Sequence, residues 1–222
     1  MRTLICIPAL DMVHTEFMRN LLSMRIIGEA QFAIAQSSLV YDSRNILSVQ
    51  AICGGFDRTL WLDSDMTFEP DLMERLSKRL DEGADLASGL YFCRKPPYRP
   101  VIYDGCRIAE INGKRQNIAV VYDDYPEGVF DIEGCGFGGV MIRTKLLNAV
   151  REKFGHPFSP IEGFGEDLSF CMRAANLGAK MVCDSTVKMG HIGQIVISEN
   201  QFKEQNHACE SKNRAPHYDG RI

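Results

Sequence analysis

In the first half of the chain the apolar positions switch between two spacings. Thr3 to Ile7 (TLICI) is a short continuous run ended by Pro8, as in a buried strand, and Phe17, Leu21 and Leu22 then form a stripe. Together they predict a helix from about Val13 to Met24, with Asp11 as its cap. Gln31 to Ala35 reads as a second strand. Asp42 is the next cap, for a helix through Ile46, Val49 and Ile52 that stops at Gly54-Gly55. Arg58 to Leu62 (RTLWL) is a third strand running into Asp63. Pro70 opens a helix with Leu72, Leu76 and Leu80 on one face, Gly83 ends it, and Asp85 to Tyr91 returns as a fourth strand. The alternation β-α-β-α-β-α-β predicts an α/β fold, a parallel sheet covered by helices on both faces.

The middle of the chain changes character. Pro96, Pro97 and Pro100 break the alternation, and Arg107 to Ile111 and Gln116 to Tyr122 flank Asn112-Gly113, a hairpin signal. Residues 96–125 are therefore expected to form a small antiparallel insert within one domain of residues 1–197. Phe130 to Glu133 and Val140 to Arg143 read as strands around a glycine-rich run, Gly134 to Gly139, which suits either a loop beside a bound ligand or a bulged strand approach. Helices are expected from Thr144 and from Glu166 to Gly178, and a last strand over Lys180 to Cys183. Residues 198–222 form a polar tail with four acidic and four basic residues.

Composition narrows the class. A chain of 222 residues with 45% hydrophobic and 24% charged residues can bury a substantial core, which excludes a disordered or fibrous protein. Its net charge of −4 supplies no general attraction to nucleic acid or anionic lipid, so no nucleic-acid binding is expected. No segment approaches the length of a membrane span, and the first residues lack a cleavage site, so a cytoplasmic location is expected. The eight cysteines are scattered and make no C-x-x-C, which favours free buried thiols over disulfides or a zinc site.

Three groups carry chemistry. Asp63-Ser64-Asp65 follows the third strand directly, where two carboxylates can share a hard divalent cation at the carboxyl edge of a parallel sheet. The same pattern also occurs in turns whose Asp residues cap a helix. Gly163-Phe164-Gly165-Glu166-Asp167 places carboxylates at a glycine-flanked helix start, where they can accept a proton or simply complement the helix dipole. His191 stands between Gly190 and Gly193 after the last strand, and matters chemically only if the fold brings it beside Asp65.

The ordered set resembles glycosyltransferases of the GT-A fold, especially family-2-like enzymes and the short phage and bacterial type. The resemblance rests on the opening strand with Pro8, Ser43-Arg44-Asn45, Trp61 to Met66, Gly138 to Arg143, Gly165 to Cys171 and His191, over roughly residues 1–193. It implies a nucleotide-diphosphate-sugar transferase of Rossmann-like architecture, hexosyltransferase in type, that moves a sugar to an acceptor hydroxyl with inversion. The acceptor is a glycan, a protein or a small molecule.

By that resemblance Asp65 binds Mn²⁺ or Mg²⁺ directly, Asp63 reaches the metal through water or the donor ribose, and His191 completes the protein ligands. Arg44 and Ser64 lie on the donor side, with Pro8, Ala9 and Ser37 as positional candidates for the nucleotide pocket. Asp167 is the catalytic base, and Glu166 binds acceptor or substitutes for it. Gln36-Ser37-Ser38 stands where family-2 enzymes often carry a uracil-binding Asp, a departure that leaves the base open between UDP, GDP and other nucleotides; the resemblance puts UDP-sugars first and GDP-sugars second as donors. The competing readings are a sugar-nucleotide-binding protein without turnover and a sugar nucleotidyltransferase, although Pro8 to Asp11 lacks the latter's Gly-rich, Arg-containing loop.

Overall fold

A computed structural model describes residues 1–193. The expected tail, the end of the domain at 197 and Cys209 lie outside the described residues. The chain runs β1 (Arg2–Ala9), α1 (Thr15–Ser23), β2 (Glu29–Gln36), α2 (Val40–Cys53), β3 (Arg58–Leu62), β4 (Met66–Thr67), α3 (Leu72–Asp81) and β5 (Leu86–Leu90). It continues through β6 (Ile102–Ile111), β7 (Lys114–Val121), β8 (Val129–Asp131), β9 (Gly134–Cys135) and β10 (Gly139–Arg143) to α4 (Thr144–Phe154), α5 (Glu166–Asn176), β11 (Met181–Lys188) and β12 (Gly190–His191).

Seven strands form the main sheet in the order β2-β1-β3-β10-β5-β11-β8. Strands β2, β1, β3, β5 and β11 run one way, while β10 is antiparallel to both β3 and β5, and β8 to β11. The sheet is thus mostly parallel, and β1, β2, β3 and β5 of the first half all run the same way, as the alternation predicts. β5 does not lie beside β3, because β10 returns from the opposite edge and fills the gap between them.

Side chains alternate across this sheet and feed a core on each face. Leu4 and Cys6 of β1 join Leu47 and Ala51 of α2, Leu147 and Val150 of α4, and Phe170 of α5. Ile5 and Ile7 point the other way, to Phe17 and Leu21 of α1 and to Leu72, Leu76 and Leu80 of α3. Burying each Leu, Ile, Val or Phe among them contributes roughly 1.5–3 kcal/mol, enough to hold the helices onto the sheet.

Helix details differ from the periodicity in informative ways. α1 starts at Thr15 with His14 in the capping position, not with Asp11, and Leu22 is 81% exposed because Phe17 and Leu21 set the buried direction. In α2, Asp42 sits in the first turn rather than at the cap, and Ile46 and Val49 face solvent. The buried face is Ser43, Arg44, Leu47, Ser48 and Ala51, rotated so that Arg44 reaches the carboxylates described below. Seven cysteines are free among the described residues; Cys6, Cys135, Cys171 and Cys183 are buried, Cys106 is half-buried, and Cys53 and Cys93 are exposed, contrary to a uniform buried set. No helix of the described residues is long and apolar enough to cross a membrane.

The hairpin closes at Asn112-Gly113, both with positive φ (54° and 72°), the backbone that a two-residue turn requires. Its strands β6 and β7 pair with each other, and β6 also pairs with β9. Arg115 of β7 bonds Glu162 at 3.0 Å, and the Asn117 amide donates to the Glu162 carbonyl. The hairpin thereby braces the loop that leads into α5.

Candidate active site

The carboxyl ends of β1, β2, β3, β5 and β11 meet at one edge of the sheet, and the candidate donor, metal and catalytic residues lie there. β3 is buried along its length and ends at Leu62; the carbonyl of the next residue, Asp63, accepts the Met66 amide at 3.2 Å in a tight turn. β4 then pairs with β12, setting His191 opposite Met66, and the Ile192 amide donates to the Asp65 carbonyl at 2.8 Å. This short ladder brings His191 beside Asp65, a contact between residues far apart in sequence.

His191 Nε2 is 3.3 Å from Asp65 Oδ2, and Nδ1 is 3.0 Å from the Phe92 carbonyl oxygen. A carbonyl only accepts, so Nδ1 carries a hydrogen and Nε2 is the nitrogen presented to the carboxylate. Two lone pairs facing each other at that distance repel, which leaves a proton on Nε2 or a cation at the pair as the stable arrangements. The hydrogen bond to Asp65 raises the His191 pKa; burial opposes it, and the bond to Phe92 adds to it. Burial alone would raise the Asp65 carboxyl, but His191, by hydrogen bond and charge, and the charge of Arg94 hold it below its ordinary value. The Tyr91 ring meets the His191 ring edge-on at 5.6 Å.

Asp63 turns to a different partner. Arg44, 2% exposed, donates from Nη2 to Asp63 Oδ1 at 2.8 Å and from Nε to Glu166 Oε1 at 3.2 Å. Its Nη1 is buried without a hydrogen-bond partner. The guanidinium lies over the Phe137 ring at 5.3 Å. Burial disfavours its charge, but Asp63, Glu166 and Asp167 outweigh that and raise its pKa. Arg44 is therefore an internal strut joining α2, the end of β3 and the start of α5, and not a surface helix residue. Among the described residues no three Asp, Glu, His or Cys side chains converge as a metal-holding group; Asp65 and His191 form a pair, with Asp63 held by Arg44.

Asp167 lies one residue beyond Glu166 in the first turn of α5, and its Oδ1 accepts the Leu168 amide at 2.7 Å. Its pKa is pushed up to about 6, first by burial and then by the charge of Glu166, against the lowering effects of the Leu168 amide and Arg44. A carboxylate that titrates just below neutrality is suited to taking up a proton near physiological pH.

These side chains line one cleft of about 580 Å³, which includes Arg44, Asp63, Ser64, Asp65, Glu166, Asp167 and His191. A smaller recess of about 170 Å³ shares Pro8, Val40 and Ser64 with it and collects Ala9, Ser37, Ser38 and Ser43. Pro8, Ala9 and Ser37 therefore share one recess adjoining the acidic cleft. Another cleft of about 720 Å³, at the amino edge of the parallel strands around Arg58, Arg143 and Thr144, contains none of the candidate donor, metal or catalytic residues.

Sequence reasoning missed Tyr91, Cys93, Arg94 and Lys95, which also line the acidic cleft. Their position after the fourth strand, at the same sheet edge as Asp63, was the available signal. The glycine-rich run is buried packing: a Cβ on Gly136 would lie 2.1 Å from the Tyr91 hydroxyl, and one on Gly139 would lie 2.1 Å from Met189 Sδ.

No protein-family model matches the chain, and no curated protein matches it. Among solved structures, A197 from STIV superposes with a TM-score of 0.63 at 20% identity, covering 87% of each chain. GalNAc-T7, solved with UDP, GalNAc and Mn²⁺, superposes with a TM-score of 0.58 at 11% identity, covering 100% of this chain and 46% of its own. The chain thus spans about half the length of GalNAc-T7. At these identities the likeness establishes the fold, and with the mostly parallel, helix-flanked sheet it makes this a GT-A fold.

Proposed function

We propose that this chain is a metal-dependent glycosyltransferase that moves a sugar from a nucleoside-diphosphate sugar to an acceptor hydroxyl, with inversion. The observation that carries the reading is the Asp65–His191 pair set in the same cleft as Asp167. The fold shared with GalNAc-T7, whose structure holds UDP, GalNAc and Mn²⁺, supports it.

The residues fit a divalent cation on their own chemistry. Asp65 offers a carboxylate and His191 offers Nε2, while the Phe92 carbonyl fixes the tautomer, the outer support usual for a metal-bound His. A mixed oxygen and nitrogen set suits Mn²⁺ at least as well as Mg²⁺. Asp63, engaged by Arg44, contributes from the rim, to the donor ribose or through water. Bound there, the metal would act as a Lewis acid that neutralises charge on the departing diphosphate.

The chain's own groups divide the remaining work. The recess of Pro8, Ala9 and Ser37 takes the nucleoside end, and Ser64 borders both it and the larger cleft. UDP ranks ahead of GDP as the nucleotide. Asp167 accepts the proton of the acceptor hydroxyl as the new glycosidic bond forms. Glu166, with Oε1 on Arg44, positions rather than replaces it. The hairpin of β6 and β7 borders the acceptor side through its bonds to the loop before α5.

Calorimetric titration with UDP-sugars and GDP-sugars in Mn²⁺, followed by assay of nucleotide release, tests the reading. Metal-dependent binding and slow donor hydrolysis are expected. Binding without any hydrolysis or transfer would instead favour a sugar-nucleotide-binding protein.

A further inference from the structure

Asp65 has a second cation on it. The Arg94 guanidinium contacts Asp65 Oδ2, the same oxygen that faces His191 Nε2. We propose that Arg94 is a built-in counter-ion that a divalent cation must displace from Asp65, and that the displaced Arg94 then holds the donor diphosphate together with Lys95. This inference rests on the function proposed above and adds to it a coupling between the metal and the nucleotide.

Competition follows from geometry. A cation held between Asp65 and His191 needs the carboxylate oxygen that Arg94 occupies, and a divalent charge repels a guanidinium at contact distance on that oxygen far more than an imidazole does. Arg94 is also the partner free to leave. It is 52% exposed, Asp65 is 18% exposed, and among the described residues Arg94 makes no other ion pair. Arg58 and Arg143, by contrast, are tied to backbone carbonyls as well as to carboxylates. Arg94 belongs to a loop pinned at its base: the Cys93 amide donates to the Arg99 carbonyl at 2.9 Å and the Val101 amide to the Tyr91 carbonyl at 3.0 Å. The side chain can move while the base of the loop stays in place.

Charge indicates where it goes. Besides His191, the cleft contains three cations, Arg44, Arg94 and Lys95, facing the carboxylates of Asp63, Asp65, Glu166 and Asp167. Arg44 is spent on Asp63 and Glu166 and is buried, whereas Lys95 has no carboxylate partner among the described residues. A nucleoside diphosphate brings more negative charge than one divalent cation cancels. The cationic groups left to meet the excess are Lys95 and an Arg94 released from Asp65, whose planar fork matches phosphate oxygens. Metal alone must therefore break an ion pair, while metal with diphosphate re-forms one. Each ligand strengthens the other through Arg94, and by linkage the effect is reciprocal.

The test is calorimetry on the full chain and on Arg94→Gln and Arg94→Lys, with Mn²⁺ alone and then with UDP or GDP at saturating Mn²⁺. Arg94→Gln should bind Mn²⁺ alone about 3-fold tighter, the scale of a partly exposed ion pair, yet bind the nucleotide roughly 5-fold or more weaker. Arg94→Lys, which keeps the charge but loses the fork, should fall between Gln and wild type on both measurements. Affinities that move in the same direction, or do not move, in a wild type that binds both ligands overturn this inference alone. A wild type that binds neither Mn²⁺ nor nucleotide overturns the proposed function and this inference with it.

Discussion

His191 Nε2 lies 3.3 Å from Asp65 Oδ2 while its Nδ1 is anchored to the Phe92 carbonyl, so the imidazole presents a fixed nitrogen to a carboxylate whose pKa is held low. Removing either partner should expose its metal role. Asp65→Asn and His191→Ala are each expected to weaken Mn²⁺ binding at least about 10-fold, since even outer supports of a metal ligand are worth 10–100-fold. Mn²⁺ titration followed by electron paramagnetic resonance reads this directly, and unchanged affinity in both variants would remove the pair from the metal site.

Asp167 should separate chemistry from binding. Asp167→Asn is expected to keep donor affinity within about 2-fold while transfer falls by roughly 10² or more, the scale of losing a general base. Activity of the wild type should rise with pH through about 6 as the carboxyl ionises. An equal loss of donor binding would place Asp167 in the donor site instead.

The same residue should cost stability. Its carboxyl is raised above the ordinary value of 3.8, so the folded state holds the proton more tightly than the unfolded chain. The linked stability is fully present below the ordinary value and is lost as pH rises through about 6. Asp167→Asn should therefore stabilise the protein at pH 8 by on the order of 1–2 kcal/mol, with the gain fading below pH about 4. Urea denaturation at the two pH values checks it, and a gain that does not change with pH contradicts it.

Arg44 bridges Asp63 and Glu166 from a buried position. Arg44→Met should cost about 3 kcal/mol, because it leaves two carboxylates without their shared cation. Arg44→Lys should recover little, since one ammonium cannot reproduce the two-armed fork. A loss below about 1 kcal/mol by urea denaturation would mean that the strut carries no load.

Gly136 tests the packing beneath the site. A Cβ there would meet the Tyr91 hydroxyl at 2.1 Å and Val101 Cγ1 at 2.7 Å, so Gly136→Ala should cost roughly 1–3 kcal/mol. Because Tyr91 packs against His191, Mn²⁺ affinity should fall as well. Full affinity in a destabilised variant would uncouple Tyr91 from the His191 position.

Local chemistry was easier to read in the sequence than register or facing. Asp63 and Asp65 were visible because a strand ending in Leu60-Trp61-Leu62 delivers them to a sheet edge, and Asn112-Gly113 because its turn needs a backbone that few residues adopt. Arg44 was legible as a candidate but not in its role: Ile46 and Val49 suggested an apolar face for α2, yet the helix turns its polar residue inward to meet distant carboxylates. The place of β10 between β3 and β5 depends on long-range pairing that periodicity does not record. Arg94 and Lys95 follow the fourth strand at the same sheet edge, which was a readable signal, but the Arg94 contact with Asp65 depends on the folded loop.

The most direct measurement is nucleotide release from a panel of UDP- and GDP-sugars, with and without Mn²⁺, by wild type and Asp65→Ala. The account predicts Mn²⁺-dependent release of UDP or GDP from at least one donor, lost on chelation and lost in the variant. Failure to bind or hydrolyse any donor, or release that persists unchanged in Asp65→Ala, would contradict it.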